Sequence, residues 1–207
     1  VIIYIVDDSP TPEISKLINP NFKNIKYFYR KNKRGRGSAV LFGIKRALRN
    51  KQTNLIIEMD ADFSHNPSEL KKKIEYFKKK NLDMLIASRY LEGSKILNWS
   101  LSRKVFSYLS NILVRFFLKI NIKDFTNGFR FYSIRSAKKI IKKCGNIGDG
   151  FIILSEIIVV IHNSKFKIKE LPTTFLNRTR GKSSVNIKLI IQSFLGLIKL
   201  AVIKKKL

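Results

Sequence analysis

The stretch Leu55-Ile56-Ile57-Glu58-Met59-Asp60-Ala61-Asp62 decides the expected fold. Its apolar, β-rich run is typical of a buried strand in a parallel sheet, and two carboxylates follow where that strand should end. Asp-x-Asp by itself is common in surface loops, but here a buried strand comes directly before it. Asp60 and Asp62 are therefore candidate ligands of a hard divalent cation, either Mg²⁺ or Mn²⁺.

Comparable patterns occur on both sides of this stretch. Further strands are predicted at residues 1–6, 25–29 and 83–87, with helices at 13–18, 39–48 and 67–80. Alternating strands and helices favour a parallel α/β sheet, in which ligands bind outside the carboxyl ends of the strands. Asp7 and Asp8 follow the first strand and Arg89 follows the last, so we expect them at the same edge as Asp60 and Asp62. For Asp7 and Asp8 the alternative is an Asx-turn or a helix N-cap.

The second half of the chain contains two apolar segments with interspersed basic residues. Residues 105–120 predict an amphipathic helix, and residues 187–203 predict another that is followed by three lysines. The latter segment is shorter than the roughly 20 clean apolar residues that a membrane span requires. It therefore favours a helix lying in a membrane interface, and the alternative is a helix packed on the domain core. Between these helices, residues 167–175 predict an edge strand because Pro172 cannot donate a ladder hydrogen bond.

The charge balance restricts the partners. The 207 residues include 42 Lys+Arg and 14 Asp+Glu, a formal net charge of +28. Such an excess attracts polyanions, which are nucleic acids, anionic lipids or phosphorylated substrates. The sequence has no helix-turn-helix, zinc-finger or RNA-recognition pattern, so we expect only non-specific binding to nucleic acid. Cys144 is the single cysteine, which excludes an internal disulfide.

Several motifs follow one another in a fixed order along nearly the whole chain. They are Val6-Asp7-Asp8, Gly35-x-Gly37-Ser38-Ala39, Met59-Asp60-Ala61-Asp62-Phe63-Ser64-His65-x-Pro67, Ser88-Arg89-Tyr90-x-x-Gly93, Trp99, Arg103-Lys104-x-x-Ser107, Asp124-x-Thr126-x-Gly128-Phe129-Arg130-x-Tyr132, Gly150-Phe151 with Glu156, and Arg178-x-x-Gly181-x-Ser183. This series resembles the dolichol-phosphate mannose synthases, which are family 2 glycosyltransferases with a GT-A fold. The ordered agreement is far more specific than any one of the motifs.

The resemblance implies an architecture. It is an α/β protein of the GT-A (Rossmann-like) type, with a mixed, mainly parallel sheet flanked by helices and with amphipathic interface helices. Residues 1–184 would form the catalytic domain, including an interface helix at about 103–120, and residues 185–207 a C-terminal amphipathic helix. The family's opening strand and nucleotide-binding loop have no counterpart here, so we expect the chain to begin at the second strand of the family pattern.

The resemblance also implies an activity. Mannose would pass from GDP-mannose to dolichyl (polyprenyl) phosphate with inversion, at the cytoplasmic face of the plasma or endoplasmic reticulum membrane. The protein would be peripheral and could have a membrane-anchoring partner subunit. The alternatives are a UDP-glucose-dependent polyprenyl-phosphate glucosyltransferase, a basic nucleic-acid-binding domain, and an inactive relative that acts as a membrane-surface partner.

Site residues are carried over from the resembling motifs. Asp60, Asp62 and Ser64 would surround the metal and the donor diphosphate, and Asp7 and Asp8 would contact the nucleoside. The acceptor phosphate would be bound by Arg89, Arg103, Ser107, Arg178 and Lys182. Asp60, Asp62 and Arg89 are the residues expected to be catalytic, and His65 is expected to be a supporting residue.

Overall fold

The computed structural model describes residues 1–31, 35–148, 150, 152–177 and 187–207. Short 3-10 helices lie at Pro67–Glu69 and Lys204–Lys206. The longer elements are β1 (Ile3–Asp7), α1 (Ile14–Leu17), β2 (Ile25–Tyr29), α2 (Gly35–Ala47), β3 (Leu55–Glu58), α3 (Leu70–Lys79), β4 (Met84–Ser88), β5 (Lys95–Leu97), α4 (Leu101–Leu118), β6 (Arg130–Ser133), α5 (Ile134–Lys143), α6 (Ile152–Asn163), β7 (Ile168–Pro172), β8 (Thr174–Leu176) and α7 (Ile187–Ile203).

The central sheet has the strand order β3-β6-β4-β7. Strand β6 is antiparallel to both of its neighbours, and Arg130 lies opposite Glu58 on one side and Ile86 on the other. Strands β3 and β4 therefore run in the same direction, and their carboxyl ends lie at the edge where β6 begins. The pairs β1 with β2, β4 with β7, and β5 with β8 are parallel, which confirms the expected mixed, mainly parallel arrangement.

The predicted edge strand at 167–175 is two strands. β7 ends at Pro172 and pairs with β4, whereas β8 begins at Thr174 and pairs with β5 in a separate two-stranded sheet. Thr173 makes the change of sheet, because its N–H donates to the carbonyl of Ser88 and its carbonyl accepts from Lys95. β7 is an edge strand, as its proline requires.

The core is built around helix α6. The residues from Ile152 to Ile161 are buried, including Glu156. A helix that is apolar on all sides is stable only when it is enclosed, and α5 encloses one side with Ala137 and Ile140. Helix α2 contributes Ile44 and Ala47 to the same core. This cluster includes Met84 and Ile86 of β4, and the alternating residues Leu85 and Ala87 belong to a second buried cluster with Phe77 of α3, so that apolar side chains cover both faces of β4.

Helices α4 and α7 pack against each other and leave apolar side chains at the surface. Helix α7 turns Leu197 and Leu200 into the core. The exposed apolar residues of the two helices are Leu101, Val105, Phe106, Tyr108, Leu109, Ile112, Leu113, Phe116, Ile190, Ile191, Phe194, Leu195, Ile198 and Val202. We call this set the apolar face. Helix α7 therefore packs on the domain core, which was the alternative reading of this segment, and its location at a membrane interface stays a prediction.

Within the described residues, no helix combines the length and the apolar character that crossing a bilayer would require. Helix α4 begins at Leu101 and ends at Leu118, slightly before the predicted interval. The predicted domain boundary at 184/185 lies outside the described residues, and the division into two parts stays a prediction.

Candidate active site

The turn after β3 carries the two predicted metal-ligating carboxylates. The Asp60 side chain is 39% exposed, and the Asp62 Oδ1 atom accepts hydrogen bonds from the backbone N–H and the hydroxyl of Ser64. Phe63 has φ 63°, which lets the chain fold back within this short turn. Ser64 is buried, and its hydroxyl points at Asp62. The two carboxylates are therefore presented by one compact turn at the end of a buried strand.

His65 supports this turn by a hydrogen bond to its backbone. Its Nδ1 atom accepts the backbone N–H of Asp60 at 3.0 Å, so Nε2 carries the proton and donates to Oδ1 of Asn127 at 2.9 Å. The ring is buried, and this burial lowers the pKa of His65 below its usual value, so that the neutral form prevails. A neutral imidazole with both nitrogens engaged positions Asp60, in keeping with the supporting role expected for His65.

Arg36 contacts the same turn and was not singled out from the sequence. Its Nη2 atom lies 2.8 Å from Oδ1 of Asp60 and 3.1 Å from Oε1 of Glu58. Burial works against the charge of Arg36, but Asp60 and Glu58 raise its pKa above the ordinary value. Burial also raises the pKa of Glu58, whose other oxygen accepts from the Tyr132 hydroxyl. A cation therefore already adjoins Asp60 in the protein alone.

Two glycines make room for this arrangement. Gly35 has φ 80°, a left-handed conformation that other residues rarely adopt, at the beginning of α2. A β-carbon on Gly128 would collide with the guanidinium of Arg36. The glycine pattern at 35–37 and the Gly128-Phe129-Arg130 motif were therefore the available sequence signals for Arg36.

Arg89 follows β4 and is bound by a buried carboxylate. Its Nε and Nη2 atoms donate to the two oxygens of Asp124 at 2.8 and 2.7 Å, and Nη2 also donates to the Thr126 hydroxyl. Burial opposes ionisation of Asp124, but Arg89 keeps the pKa of that carboxyl below its usual value. Arg89 thus has a fixed orientation at the strand end, and Asp124 balances its charge.

Aromatic rings connect Arg89 to Arg103. The Arg103 guanidinium lies 4.0 Å from the centre of the Trp99 ring and that of Arg89 lies 5.6 Å from it. Phe175 contacts Trp99 edge-on and contacts His65 on its other side. These rings hold two guanidinium groups near His65, whose imidazole supports Asp60. Burial opposes the charge of Arg89, but Asp124 raises the pKa of Arg89 and Asp60 adds a smaller effect in the same direction. The acidic turn and the two arginines are therefore connected through a short chain of ring contacts.

Ser107 lies one helical turn after Arg103 on α4, as the spacing predicted. Its hydroxyl oxygen accepts a hydrogen bond from the Tyr90 hydroxyl at 2.6 Å. Arg103 donates to the side-chain oxygen of Asn177 at 2.8 Å. Arg178 and Lys182, the other two residues predicted to bind the acceptor phosphate, lie outside the described residues.

Asp7 and Asp8 have polar partners of their own. Asp7 is buried and accepts from the backbone N–H of Ser9, an Asx-turn contact, and from the Tyr27 hydroxyl at 2.7 Å. Burial and this hydrogen bond raise the pKa of Tyr27 to about 12. Asp8 binds Arg30 through both oxygens, and Arg30 also donates to Ser38 at the start of α2. The first acidic pair is thereby linked through α2 to Arg36 and Asp60.

The segment 124–128, which precedes β6, contacts three of the residues described above. Asp124 binds Arg89, Asn127 accepts from His65, and Gly128 faces Arg36. Arg130 anchors this segment, because its fully buried guanidinium donates to the carbonyls of Asn127, Phe125 and Leu154. The sequence signal for this segment was the motif from Asp124 to Tyr132, which did not identify the partners of its residues.

The described residues contain no group of three or more His, Cys, Asp or Glu side chains arranged to hold a metal ion. Asp60 and Asp62 are the carboxylates available at the turn, and both supply the hard oxygen atoms that Mg²⁺ and Mn²⁺ prefer. Magnesium typically takes one or two protein carboxylates and completes its shell with substrate phosphates and water. The donor set therefore fits such an ion when it is bound together with a diphosphate.

A solved structure shares the fold of the chain. The crystal structure of glucosyl-3-phosphoglycerate synthase from Mycobacterium tuberculosis, in complex with UDP, superposes with a TM-score of 0.61 over 96% of this chain and 68% of that one. The sequence identity is 10%, so the likeness concerns the fold alone. It confirms the predicted α/β architecture of the GT-A type.

The family follows from the sequence itself. The family model described as glycosyl transferase family 2 matches residues 2–141, and the chain belongs to this family. The predicted membership is confirmed.

Three relatives are similar over most of the chain. An undecaprenyl-phosphate mannosyltransferase from Micrococcus luteus is 30% identical over 79% of this chain and 65% of its own length. A polyprenol monophosphomannose synthase from Mycolicibacterium smegmatis is 33% identical over 76% and 58%. A dolichol-phosphate mannosyltransferase from Pyrococcus furiosus is 34% identical over 92% and 52%. The chain thus spans between about half and two thirds of the length of these relatives.

Proposed function

We propose that the protein transfers mannose from GDP-mannose to a dolichyl (polyprenyl) phosphate, with inversion at the sugar carbon, and releases GDP. The three relatives are named for mannose transfer to a polyprenyl phosphate or for synthesis of a polyprenyl-phosphate mannose. The observation that carries the proposal is the closeness of the Asp60 turn to the arginines, joined through His65, Phe175 and Trp99. A donor diphosphate needs carboxylates that hold its divalent cation, and an acceptor phosphate needs arginines beside them.

The donor side uses the carboxylates. Asp60 and Asp62, supported by Ser64, would hold Mg²⁺ or Mn²⁺, and the bound ion neutralises the charge that develops on the departing diphosphate. Asp7 and Asp8 bind the nucleoside, which places the sugar over the carboxyl ends of β1 and β3. His65 keeps the backbone of Asp60 in position for this contact.

The acceptor side uses the basic groups. Arg89, Arg103 and Ser107, together with Arg178 and Lys182, bind the lipid phosphate. A phosphate oxygen forms a new bond to the sugar carbon on the face opposite to GDP, while the bond from that carbon to the diphosphate oxygen breaks and GDP leaves with the electron pair. The attacking phosphate is already ionised at neutral pH, so no general base is required. Orientation and charge stabilisation supply the catalysis.

The apolar face would attach the protein to a membrane surface. We assign the exposed side chains of α4 and α7 to a membrane interface, which makes the protein peripheral at the cytoplasmic face of the plasma or endoplasmic reticulum membrane. Basic residues beside these helices reach anionic head groups. A membrane-anchoring partner subunit would bind on the same side.

The test is a transfer assay with radiolabelled GDP-mannose, polyprenyl phosphate and Mn²⁺. We expect label in the organic phase, a loss of at least about 100-fold with Asp62→Asn because the ion loses a ligand, and little change with Glu75→Gln, an exposed carboxylate of α3. Unlabelled UDP-glucose should fail to compete. A protein that binds GDP-mannose but gives no organic-soluble label would contradict the proposal.

A further inference from the structure

A second basic site lies beside α4 and adjoins the candidate active site through Tyr90 and Asn111. A cavity of about 100 Å³ opens between α4, the residue after Arg89 and the segment that leads to Asp124. Its lining residues are Tyr90, Tyr108, Asn111, Ile112, Arg115 and Lys123. Arg115 is about 18 Å further along α4 than Arg103 at 1.5 Å per residue. We call this cavity the α4 pocket.

The α4 pocket has two cations and one nearby carboxylate, that of Glu170, which leaves a net positive charge. In the described part of the chain, neither Arg115 nor Lys123 has a side-chain hydrogen bond or an ion pair, and both are exposed. The carboxylate of Glu170 is close, but its two oxygens accept the backbone N–H groups of Lys123 and Asp124 at 2.8 and 2.9 Å. Two such cations beside a cavity create a positive potential that favours an anion.

The inner wall of the α4 pocket is rigid and polar. Asn111 is buried, and its amide group donates to the Ser107 carbonyl and the Thr126 hydroxyl and accepts from the Phe125 backbone. Tyr90 forms another wall and is held by its hydrogen bond to Ser107. Hydrogen bonds within the protein therefore hold these two side chains of the pocket.

The outer wall of the α4 pocket is apolar. Tyr108 is 52% exposed and Ile112 is 37% exposed, and both belong to the apolar face. A free phosphate ion would gain nothing from these side chains. A phospholipid has both an anionic phosphate and acyl chains, and the acyl chains would lie along these apolar side chains. The charge of the pocket and its apolar rim together therefore favour a lipid over a soluble anion.

We propose that the α4 pocket binds the head-group phosphate of an anionic phospholipid. The inference rests on the proposed function for the position of α4 at a membrane, and it adds a lipid site that is separate from the acceptor-phosphate cluster at Arg89 and Arg103. A lipid bound at this distance fixes the direction in which α4 lies on the membrane, and with it the approach of the acceptor to the arginines.

The test measures binding to vesicles of phosphatidylcholine, with and without phosphatidylglycerol, in the absence of any sugar nucleotide. The readout is the ratio of the two affinities. We expect Arg115→Gln/Lys123→Gln to lower this ratio about 10-fold, since each basic residue near an anionic membrane surface strengthens binding several-fold. The matched control, Lys71→Gln/Lys72→Gln, removes two exposed charges from α3 and should change the ratio less than about 2-fold by the same reasoning.

A third variant separates a pocket from diffuse attraction. Ile112→Phe keeps every charge but fills the cavity, so the ratio should fall as it does in the double variant. An unchanged ratio in Ile112→Phe, or an equal loss in the two double variants, overturns the proposal. Inorganic phosphate that stabilises the wild type through Arg115 and Lys123 as strongly as phosphatidylglycerol vesicles do would assign the pocket to free phosphate and also overturn it.

The outcome is independent of sugar transfer. A protein that transfers no mannose but shows the predicted loss of selectivity would contradict the proposed function and support the lipid site. A protein that transfers mannose but whose Arg115→Gln/Lys123→Gln variant keeps its selectivity for anionic vesicles would support the proposed function and contradict the lipid site. Thermal unfolding of each variant verifies that the exposed substitutions leave the fold intact.

Discussion

The guanidinium of Arg36 occupies the space in which any residue other than glycine at position 128 would place its side chain. A β-carbon on Gly128 would lie 1.9 Å from Nη2 of Arg36, the same atom that contacts Asp60 and Glu58. These residues lie far apart in the sequence, and yet the position of the cation beside the predicted metal turn depends on the absence of one methyl group.

Gly128→Ala should therefore displace Arg36 from Asp60. We expect a loss of about 1–3 kcal/mol in the free energy of unfolding, because an inserted methyl group must move its neighbours, and a further loss of donor affinity. Urea unfolding and titration with GDP-mannose and Mn²⁺ measure the two effects. Gly150→Ala is the matched control, since a β-carbon there has no atom within 4 Å. Equal stability of the two variants would contradict the close contact.

Asp124→Asn should change the response of the protein to acid. The pKa of Asp124 is lowered in the folded state, so its stabilising effect is full above the unfolded value of about 4 and is lost as the pH falls further through the folded value. We expect the variant to be less stable at pH 7, by about 3 kcal/mol for a broken buried ion pair.

Urea unfolding at neutral and acidic pH tests this expectation. The difference between Asp124→Asn and the wild type should shrink as the pH falls below the usual aspartate range. Glu75→Gln, at an exposed site, should follow the wild type at every pH. A constant difference between Asp124→Asn and the wild type would show that the Arg89 pair does not depend on ionisation of Asp124.

The predicted contact of Asp8 with the nucleoside can be separated from its pairing with Arg30. We expect Asp8→Asn to weaken GDP-mannose binding about 10-fold, the effect of losing a charge-assisted hydrogen bond, and to do so both in the wild type and in Arg30→Gln. Calorimetric titration of the two single variants and the double variant gives the coupling energy. Full non-additivity would mean that Asp8 acts only by holding Arg30.

Arg103 should not be replaceable by lysine. A planar guanidinium can stack on Trp99 while it donates to Asn177, and an ammonium group cannot do both equally well. Arg103→Lys and Arg103→Gln should each raise KM for polyprenyl phosphate by about 10-fold or more, with KM for GDP-mannose little changed. Steady-state kinetics with each substrate varied in turn tests this. A larger effect on KM for GDP-mannose would contradict this assignment, because it would mean that Arg103 binds the donor and not the acceptor.

The sequence was sufficient for features that are local along the chain. The predicted strands at 25–29 and 55–59 and the helix at 187–203 agree with the structure to within a residue or so, because an apolar run with a polar stop is visible without any partner. The position of Asp60, Asp62 and Arg89 at strand ends follows from the same runs. Parallel alignment of β3 and β4 then brings them to one edge.

The pairings across the fold were not predictable in this way. Arg36 with Asp60, Arg89 with Asp124 and His65 with Asn127 each join residues more than twenty positions apart. In a chain with 42 basic residues, composition gives no means of choosing which arginine meets which carboxylate. Glu58 was the missed clue, since a carboxylate inside an otherwise apolar strand needs a buried cation or a hydrogen-bond donor as its partner, and here it has Arg36 and Tyr132.

Strand β6 enters the sheet against the direction of its neighbours, and the short segment before it therefore touches three partners that come from three separate places in the chain. Natural variation at residues 124, 127 and 128 should be correlated with variation at Arg89, His65 and Arg36, respectively. An experiment that exchanges residues 124–128 between relatives would accordingly have to exchange the three partner residues as well. If only the segment or only the partners were exchanged, these contacts would be lost.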